Sequence, residues 1–256
     1  MRSQRLAAQF AAAILSLAGL AALCAVGGVR LGLMPFASGL TVMTASVWLG
    51  LVALAASLAW LFSALKRNKG DGKRPGMIAL VGSLALLWTP LHTFYQGMTS
   101  PAIHDASTDP EDPPQFVALA KLRQPGMNAV AYDGQRQIRF RGETNTADYM
   151  LHTYYTDITM PSSKRARLQT TPAQMFWHAF EAAKRMGWTI VDFSEKDGRI
   201  EATDTSFWFG QPADIVIRVQ PAGAIGARLD VRSQSRMGTR DYGSNIARLK
   251  HYLEAL

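Results

Sequence analysis

Residues 199–236, RIEATDTSFWFGQPADIVIRVQPAGAIGARLDVRSQSR, decide the fold of the second half of the chain. Apolar and polar residues alternate along this stretch, which is interrupted by turn-forming residues at 210–212 and 221–226. Alternation with a period of two is typical of strands that bury one face, and short connections join antiparallel neighbours. The stretch therefore predicts an antiparallel β-meander with one apolar and one polar face. Its strands are placed at 199–209, 215–220 and 227–232.

Helices flank this meander in the sequence. Thr171 and Pro172 are a favourable N-cap and first helical residue, and Gly187 is a suitable helix stop. Apolar residues recur at helical spacing between them, at Met175, Phe176, Ala179, Phe180, Ala183 and Met186. A first strand is predicted at 188–193 and a last helix at 241–256. This order predicts an α+β domain, with the helices packed on the apolar face of the sheet.

The residues before Thr171 give weaker signals. A short helix is predicted at 116–122, a strand at 137–141, and a strand or an ordered loop at 148–159. The whole segment 115–256 is long enough to bury a core of its own. We therefore predict that residues 115–256 form one globular domain.

Three long apolar runs occupy the first hundred residues, at about 6–29, 40–65 and 77–95. A helix that crosses a bilayer core of about 30 Å needs about 20 predominantly apolar residues. A buried helix of a soluble protein seldom stays uncharged for so long, because its outer face meets water. We predict a membrane domain over 1–99 with three transmembrane helices. The first run is longer than the apolar region of a cleaved signal peptide, so we expect it to be retained.

The net charge of +8 is distributed unevenly. Residues 1–100 hold 8 Lys and Arg against 1 acidic residue, whereas residues 101–256 hold 19 against 18. The basic residues of the first part lie mainly before the first run and after the second. Because Lys and Arg near span ends remain in the cytoplasm, this pattern predicts a multi-pass protein of the cell inner membrane. Its N-terminus would be cytoplasmic and its C-terminal domain periplasmic.

Composition and motifs exclude several classes of protein. The apolar content of 48% excludes a disordered chain, and the single cysteine excludes a disulfide scaffold and paired zinc or redox cysteines. Nucleic acid is not expected as a partner, since the second half is nearly neutral. The sequence lacks a G-x-S-x-G motif, a phosphate-binding glycine-rich loop and an H-E-x-x-H motif. We predict no catalytic residue, no metal site and no cofactor, and leave enzymatic activity open.

A junction rich in proline and acidic residues, 100–114, links the two halves. Its possible cation ligands are His104, Asp105, Asp109, Glu111 and Asp112. Carboxylate oxygens suit Ca²⁺, but the spacing fits no EF-hand loop. Two interpretations are open: a cation site, or an extended acidic connector that lies over the globular domain.

Arginines and small polar residues gather where the last strand meets the last helix. Strand alternation places Arg232 and Arg236 on the polar face, and Ser233 and Ser235 in line with the apolar face. The N–H groups and the dipole of a helix N-terminus favour an anion. Two interpretations are open. The site would hold a carboxylate or phosphate, or its arginines would pair internally with Asp204, Asp214 or Asp241 and fix the connection between the last strand and the last helix. The candidate ligand-binding residues are Arg232, Ser233, Ser235, Arg236, Arg240, Asp241, Asn245, Arg248, Thr205 and Trp208.

The same stretches carry a resemblance to a known family. The sequence IEATDTSFWF at 200–209, DIVIR at 214–218 and RSQSRMGTRDYGSNIAR at 232–248 resembles the DUF1499 family. The resemblance covers about residues 103–256, and the junction is similar to that of membrane-anchored bacterial members. The chain departs from the family pattern at Ala213, where a second acidic residue often precedes Asp214. The resemblance implies the fold and the choice of site, but no reaction.

Three functions are consistent with the sequence. The first is a non-enzymatic membrane protein, in contact with membrane lipids, whose periplasmic domain binds an anionic ligand or an envelope protein. The second is an enzyme acting on lipid or cell-wall material, with His104, Asp105 or Asp204 as acid–base groups. The third is a structural subunit of a membrane complex, with the Gly- and Ala-rich spans as its interface.

Overall fold

The chain divides into two compact units, a helical unit and an α+β unit. In the computed structural model the described residues are 2–67, 72–99, 103–132, 139–140, 143–144, 154–155, 170–223 and 226–256. The helical unit comprises residues 1–96 and 207–210, and the α+β unit comprises residues 97–206 and 211–256.

Three helices form the helical unit. They are α1 (Arg2–Arg30), α2 (Phe36–Arg67) and α3 (Lys73–Thr99). By length and composition, all three could cross a membrane, which agrees with the three predicted spans. Large apolar side chains such as Leu23, Trp48 and Trp88 are exposed on their surfaces, as expected of helices that face lipid.

Small residues inside the helical unit allow its helices to pack closely. Ser46 Oγ donates a hydrogen bond to the carbonyl of Ala18 at 2.8 Å, and Gln4 Nε2 donates to Ser63 Oγ at 3.0 Å. Fully buried alanines of α1 and α2 are Ala8, Ala11, Ala18, Ala25 and Ala53. A Cβ atom at Gly76 would overlap the Trp60 ring. These small residues thus serve packing within the chain, which weakens the case for them as an interface with another subunit.

The α+β unit contains a six-stranded antiparallel sheet. In chain order the strands are β1 (Asp105–Ser107), β2 (Arg139–Phe140), β3 (Glu143–Thr144), β4 (Tyr154–Tyr155), β5 (Thr189–Ser194), β6 (Arg199–Thr205), β7 (Pro212–Ala222) and β8 (Gly226–Ser235). The order in the sheet is β1-β8-β7-β6-β5, β4 also pairs with β8, and β2 pairs with β3 separately. The predicted meander is confirmed as β5 to β8.

Strand lengths differ from the prediction at three places. The strand β6 ends at Thr205 and not at 209, because Ser206 N donates to the Gln211 carbonyl at 2.9 Å and closes a loop. The strand β8 continues past 232 to Ser235. The junction contributes β1, a strand that neither of its two interpretations, a cation site or an extended connector, included. Most of the predicted segments 137–141 and 148–159 lies outside the described residues.

The helix α4 (Pro172–Arg185) begins as predicted. Thr171 Oγ1 accepts a hydrogen bond from Gln174 N at 3.2 Å, and Gln174 Oε1 accepts one from Thr171 N at 3.1 Å, which forms a capping box. The helix α5 (Ser244–Ala255) begins later than the predicted 241, because Gly243 has a φ of 81° that ends the preceding loop. A 3-10 helix, Leu119–Leu122, replaces the predicted helix at 116–122.

One face of the sheet and the helices α4 and α5 enclose the main hydrophobic core. Buried strand residues of this face include Ile200, Ile215, Ile217, Leu229 and Val231. The Trp188 ring stacks on Tyr252 of α5 with the ring centroids 5.0 Å apart. Helices on the apolar face were predicted, and this arrangement confirms the α+β class.

The opposite face is polar but is also buried. It carries Glu201, Asp214, Asp230, Arg232 and Gln234, none of which is exposed to solvent. Hydrogen bonds join these side chains to residues of the segment 105–132, so this segment covers the face. We call these five buried residues, together with the residues of 105–132 that bind them, the polar layer.

Candidate functional site

Asn245 is the centre of a hydrogen-bonded cluster where β8 meets α5. Its Oδ1 accepts from Ser233 Oγ and from Arg248 Nη1, both at 2.7 Å. Its Nδ2 donates to Ser235 Oγ at 3.0 Å. Arg248 Nε in turn donates to Asp204 Oδ2 at 2.7 Å. We call these five residues, Asp204, Ser233, Ser235, Asn245 and Arg248, the corner cluster.

The corner cluster also holds the chain where it enters the sheet. The carbonyl of His104 accepts from Asn245 Nδ2 at 2.9 Å and from Ser235 N at 2.8 Å. The preceding carbonyl, of Ile103, accepts from Asp241 N at 2.8 Å. Residues 103 and 104 are therefore fixed immediately before β1 by side chains and backbone groups from the C-terminal part of the sequence.

Asp241 caps the N-terminus of α5 from within the chain. Its carboxylate accepts from Gly243 N and from Asn245 N, both at 2.9 Å. Burial raises the pKa of Asp241 above its ordinary value, although these two N–H bonds act in the opposite direction. The position where the sequence analysis placed an external anion is thus occupied by a carboxylate of the protein itself.

Arg232 is a fully buried member of the polar layer. Its Nε and Nη2 donate to the two carboxylate oxygens of Asp105 at 3.0 and 2.7 Å. Its Nη1 and Nη2 also donate to the carbonyls of Pro114 and Val130 at 3.3 and 2.7 Å. The Phe116 ring centroid lies 4.9 Å from the guanidinium carbon. Each guanidinium nitrogen is satisfied internally, which leaves Arg232 without access to a ligand.

Arg236 lies on the same face as Arg232, as predicted. Its Nε donates to both carboxylate oxygens of Asp214, at 2.9 and 3.0 Å. Asp214 also pairs with Arg123 at 3.0 Å. Arg232 and Arg236 thus lie on one side of the sheet, and the corner cluster on the other. The structure therefore separates the candidate residues into two groups, and the pairs expected of an internal network are present in both.

The remaining candidates lie on the surface. The Arg240 guanidinium is 5.9 Å from the Tyr242 ring centroid. Thr205 ends β6 and is exposed, and Trp208, in the loop 206–211, is 47% exposed. The hydrogen bonds of the corner cluster do not include these three side chains.

The acidic residues of the junction pair with arginines of the sheet. Asp112 Oδ2 lies 2.8 Å from Arg218 Nη1, and Asp109 pairs with Arg218 at 3.3 Å and with Arg228. Burial alone would raise the pKa of Asp109, but the Asp112 N–H and Arg228 outweigh it, so the pKa is lowered. Within the described part of the chain, no three His, Cys, Asp or Glu side chains are placed to hold a metal ion. These pairs fit the connector interpretation.

Sequence reasoning missed Glu201, a carboxylate of the polar layer that binds three backbone N–H groups. Its Oε1 accepts from the backbone N–H groups of Val117 and Ala118 at 2.9 and 3.1 Å, and its Oε2 accepts from Leu119 at 2.8 Å. Arg199 Nε lies 2.9 Å from Oε1. An acid at an alternating position of a strand predicts an exposed side chain, and no local signal marks its distant partners.

The enzymatic interpretation loses one of its acid–base groups. Asp105 is 1% exposed, and both of its carboxylate oxygens are bound by Arg232. A substrate therefore cannot reach this carboxylate in the folded domain. Asp204 is partly exposed but is bound to Arg248.

Comparison with known families covers the α+β unit. The family described as protein of unknown function DUF1499 matches residues 105–256, which is more than half of the chain. The chain belongs to the DUF1499 family. This DUF1499 match begins at β1 and includes the polar layer and the corner cluster, while α1 to α3 lie outside it. No curated protein matches the chain.

Proposed function

We propose that this protein is anchored in the inner membrane by α1 to α3 and carries its DUF1499 domain in the periplasm. There the domain binds an anionic ligand, free or displayed by an envelope partner. The anchor is supported by three helices of spanning length. The orientation is supported by the basic residues that precede the first span and follow the second.

Arg248 carries the ligand proposal. Asp204, Ser233 and Asn245 bind its Nε and Nη1, and its side chain is 11% exposed. Among the described residues, its Nη2 has no hydrogen-bond partner. A guanidinium held in this way loses little rotamer freedom on binding a carboxylate or phosphate. The exposed Arg240 and Thr205 lie near this end of the domain and would widen the site.

Thermal unfolding of the full-length protein in a neutral detergent tests this proposal. The probes are inorganic phosphate and a short-chain phosphatidylglycerol, used separately. At a concentration about 100 times its Kd, a ligand adds about 2.7 kcal/mol to the free energy of unfolding, which corresponds to a rise in Tm of about 5–10 °C. We expect at least one probe to act in this way.

The variant Arg248→Gln should abolish the ligand-induced rise in Tm. The matched control is Lys250→Gln, which removes an exposed positive charge from the same helix and should keep the rise. Because the change in Tm on adding ligand is compared within each variant, a lower starting stability does not affect the result. Equal shifts in both variants, or no shift with either probe, would contradict the proposal.

A reporter fusion tests the orientation separately. Alkaline phosphatase, which requires the oxidising periplasm for activity, is fused after Leu256 or after Arg67. We expect activity from the first fusion and none from the second. The reverse pattern would place the domain in the cytoplasm.

A further inference from the structure

An exposed aromatic loop joins β6 to β7. Ser206 N donates to the Gln211 carbonyl, and Gln211 N donates to Ser206 Oγ, both at 2.9 Å, so the loop is closed at its base. At its tip the side chain of Phe207 is 79% exposed and that of Trp208 is 47% exposed. Their rings contact each other edge to face, with centroids 5.1 Å apart. The loop therefore presents two aromatic rings from a defined backbone.

The register of the sheet shows where this loop lies in the domain. Ser235 binds the carbonyl of His104 and pairs with Ala213, which pairs with Asp204. These four residues form a row across one end of the sheet, which we call the junction end. The strand β6 runs toward this end and β7 runs away from it, so the loop 206–211 projects beyond the row.

The chain reaches the junction end through a short linker. Only residues 100–103 separate Thr99, the last residue of α3, from His104. An extended chain spans at most about 3.5 Å per residue, so this linker reaches about 18 Å. This linker thus joins the third span to the same end of the sheet that carries the aromatic loop.

The chemistry of the loop matches the interface of a bilayer. Residues 205–213 carry no charge. Trp is an amphipathic ring that is enriched at membrane interfaces, and Phe is an apolar ring that interfacial segments bury at the acyl boundary. Exposed apolar patches on a folded domain mark interaction surfaces. Three helices of the same chain could span the membrane in question.

We propose that Phe207 and Trp208 insert into the interfacial region of the membrane that α1 to α3 cross, and so hold the domain against the bilayer. This assigns Trp208 to lipid contact and away from a bound ligand. The inference depends on membrane anchoring but not on anion binding at Arg248.

Site-directed spin labelling tests the insertion. In a Cys24→Ser background, a nitroxide is attached to Phe207→Cys and, in a second protein, to Phe193→Cys. Phe193 is a matched control, because it is also an exposed aromatic residue, at 48%, and it lies in β5 near the opposite end of the sheet. The full-length proteins are reconstituted into phosphatidylcholine vesicles, and accessibility to oxygen and to a water-soluble nickel complex is measured.

We expect the label at 207 to be several-fold less accessible to nickel than the label at 193, and more accessible to oxygen. Equal nickel accessibility at the two positions would overturn the proposal. Nickel protection at 207 without a rise in oxygen accessibility, or dipolar broadening between labels, would also overturn it, because a protein partner or a second copy would then cover the loop. If Phe207→Cys lowers the Tm, Trp208→Cys gives the same test.

Discussion

Asp109 shows how single residues hold the junction to the sheet. Its carboxylate pairs with Arg218 and Arg228, and both arginines also pair with the fully buried Asp230. Loss of the Asp109 carboxylate leaves Arg218 and Arg228 sharing Asp230, while Arg218 keeps its pair with the exposed Asp112. Because these side chains are largely shielded from water, such a loss affects stability more than it would at the surface.

The variant Asp109→Asn should lower the free energy of unfolding at pH 7 by about 1.5–3 kcal/mol, the range for hydrogen bonds to charged groups. The folded protein has the lower pKa, so the carboxylate stabilises the fold above its unfolded pKa of about 3.9. This contribution is lost as the pH falls through the folded value. The difference from the parent protein should therefore shrink at low pH.

Thermal unfolding of the full-length protein in a neutral detergent, at pH 7 and near pH 3, measures this difference. The control variant is Glu181→Gln, which removes an exposed ion pair with Lys184 and should change the free energy by less than about 1 kcal/mol. A loss in Asp109→Asn that is equal at both pH values would show that the charge is not responsible.

At the scale of elements, β8 is a strand whose side-chain directions can be predicted from the sequence but whose ion-pair partners cannot. Alternation correctly places Arg232 on one side of the strand and Ser233 on the other, because the side-chain period of a strand is two. It does not identify the partner of Arg232, since Asp105 lies 127 positions earlier in the chain. Expected partners such as Asp204 and Asp214 were nearer in sequence and were found.

The 3-10 helix at 119–122 depends on Glu201. In Glu201→Gln the amide nitrogen would face the N–H groups of Val117 and Ala118, or of Leu119, which leaves buried donors unpaired. Breaking a buried charged interaction of this kind costs about 3 kcal/mol or more. We expect lower stability and faster hydrogen exchange at residues 117–119.

Hydrogen exchange of the full-length protein in detergent checks this expectation peptide by peptide. The exposed Glu195→Gln in the turn between β5 and β6 is the control and should leave the exchange at 117–119 unchanged. Unchanged protection in Glu201→Gln would mean that the covering segment does not rely on this carboxylate.

At the scale of the whole molecule, the DUF1499 domain includes β1, a strand that follows soon after α3. A chain of residues 101–256 retains β1 and should fold cooperatively without α1 to α3. A chain of residues 110–256 loses Asp105 and the carbonyl of His104, which leaves Arg232 and Asn245 without these partners. An unpaired buried charge costs about 3–5 kcal/mol, a large part of the 5–15 kcal/mol typical of a domain.

Denaturant unfolding followed by circular dichroism compares the two chains. The shorter chain should unfold at a much lower denaturant concentration or lack a cooperative transition. Equal midpoints would show that β1 is an accessory to the domain and not part of it.

The sequence alone predicts the order of elements in both halves, because spans, caps and strand alternation are local signals. It does not predict that both faces of the sheet are buried. The covering segment 105–132 has few regular elements and no periodic pattern. Its position is set by ion pairs and hydrogen bonds to strands that are distant in the sequence. The pairing of Arg232 in the candidate site could not be predicted for the same reason, because its partner Asp105 is distant in the sequence.

The hydrogen bonds that hold Ile103 through Asp241 and His104 through the corner cluster have a mechanical consequence. A pull on the chain before Ile103, directed along β1, loads the hydrogen bonds between β1 and β8 together, in shear, and the Asp105–Arg232 pair with them. Bonds loaded in this way share the force, whereas bonds that are peeled break one at a time. The chain therefore enters the domain through hydrogen bonds that resist tension along β1 together.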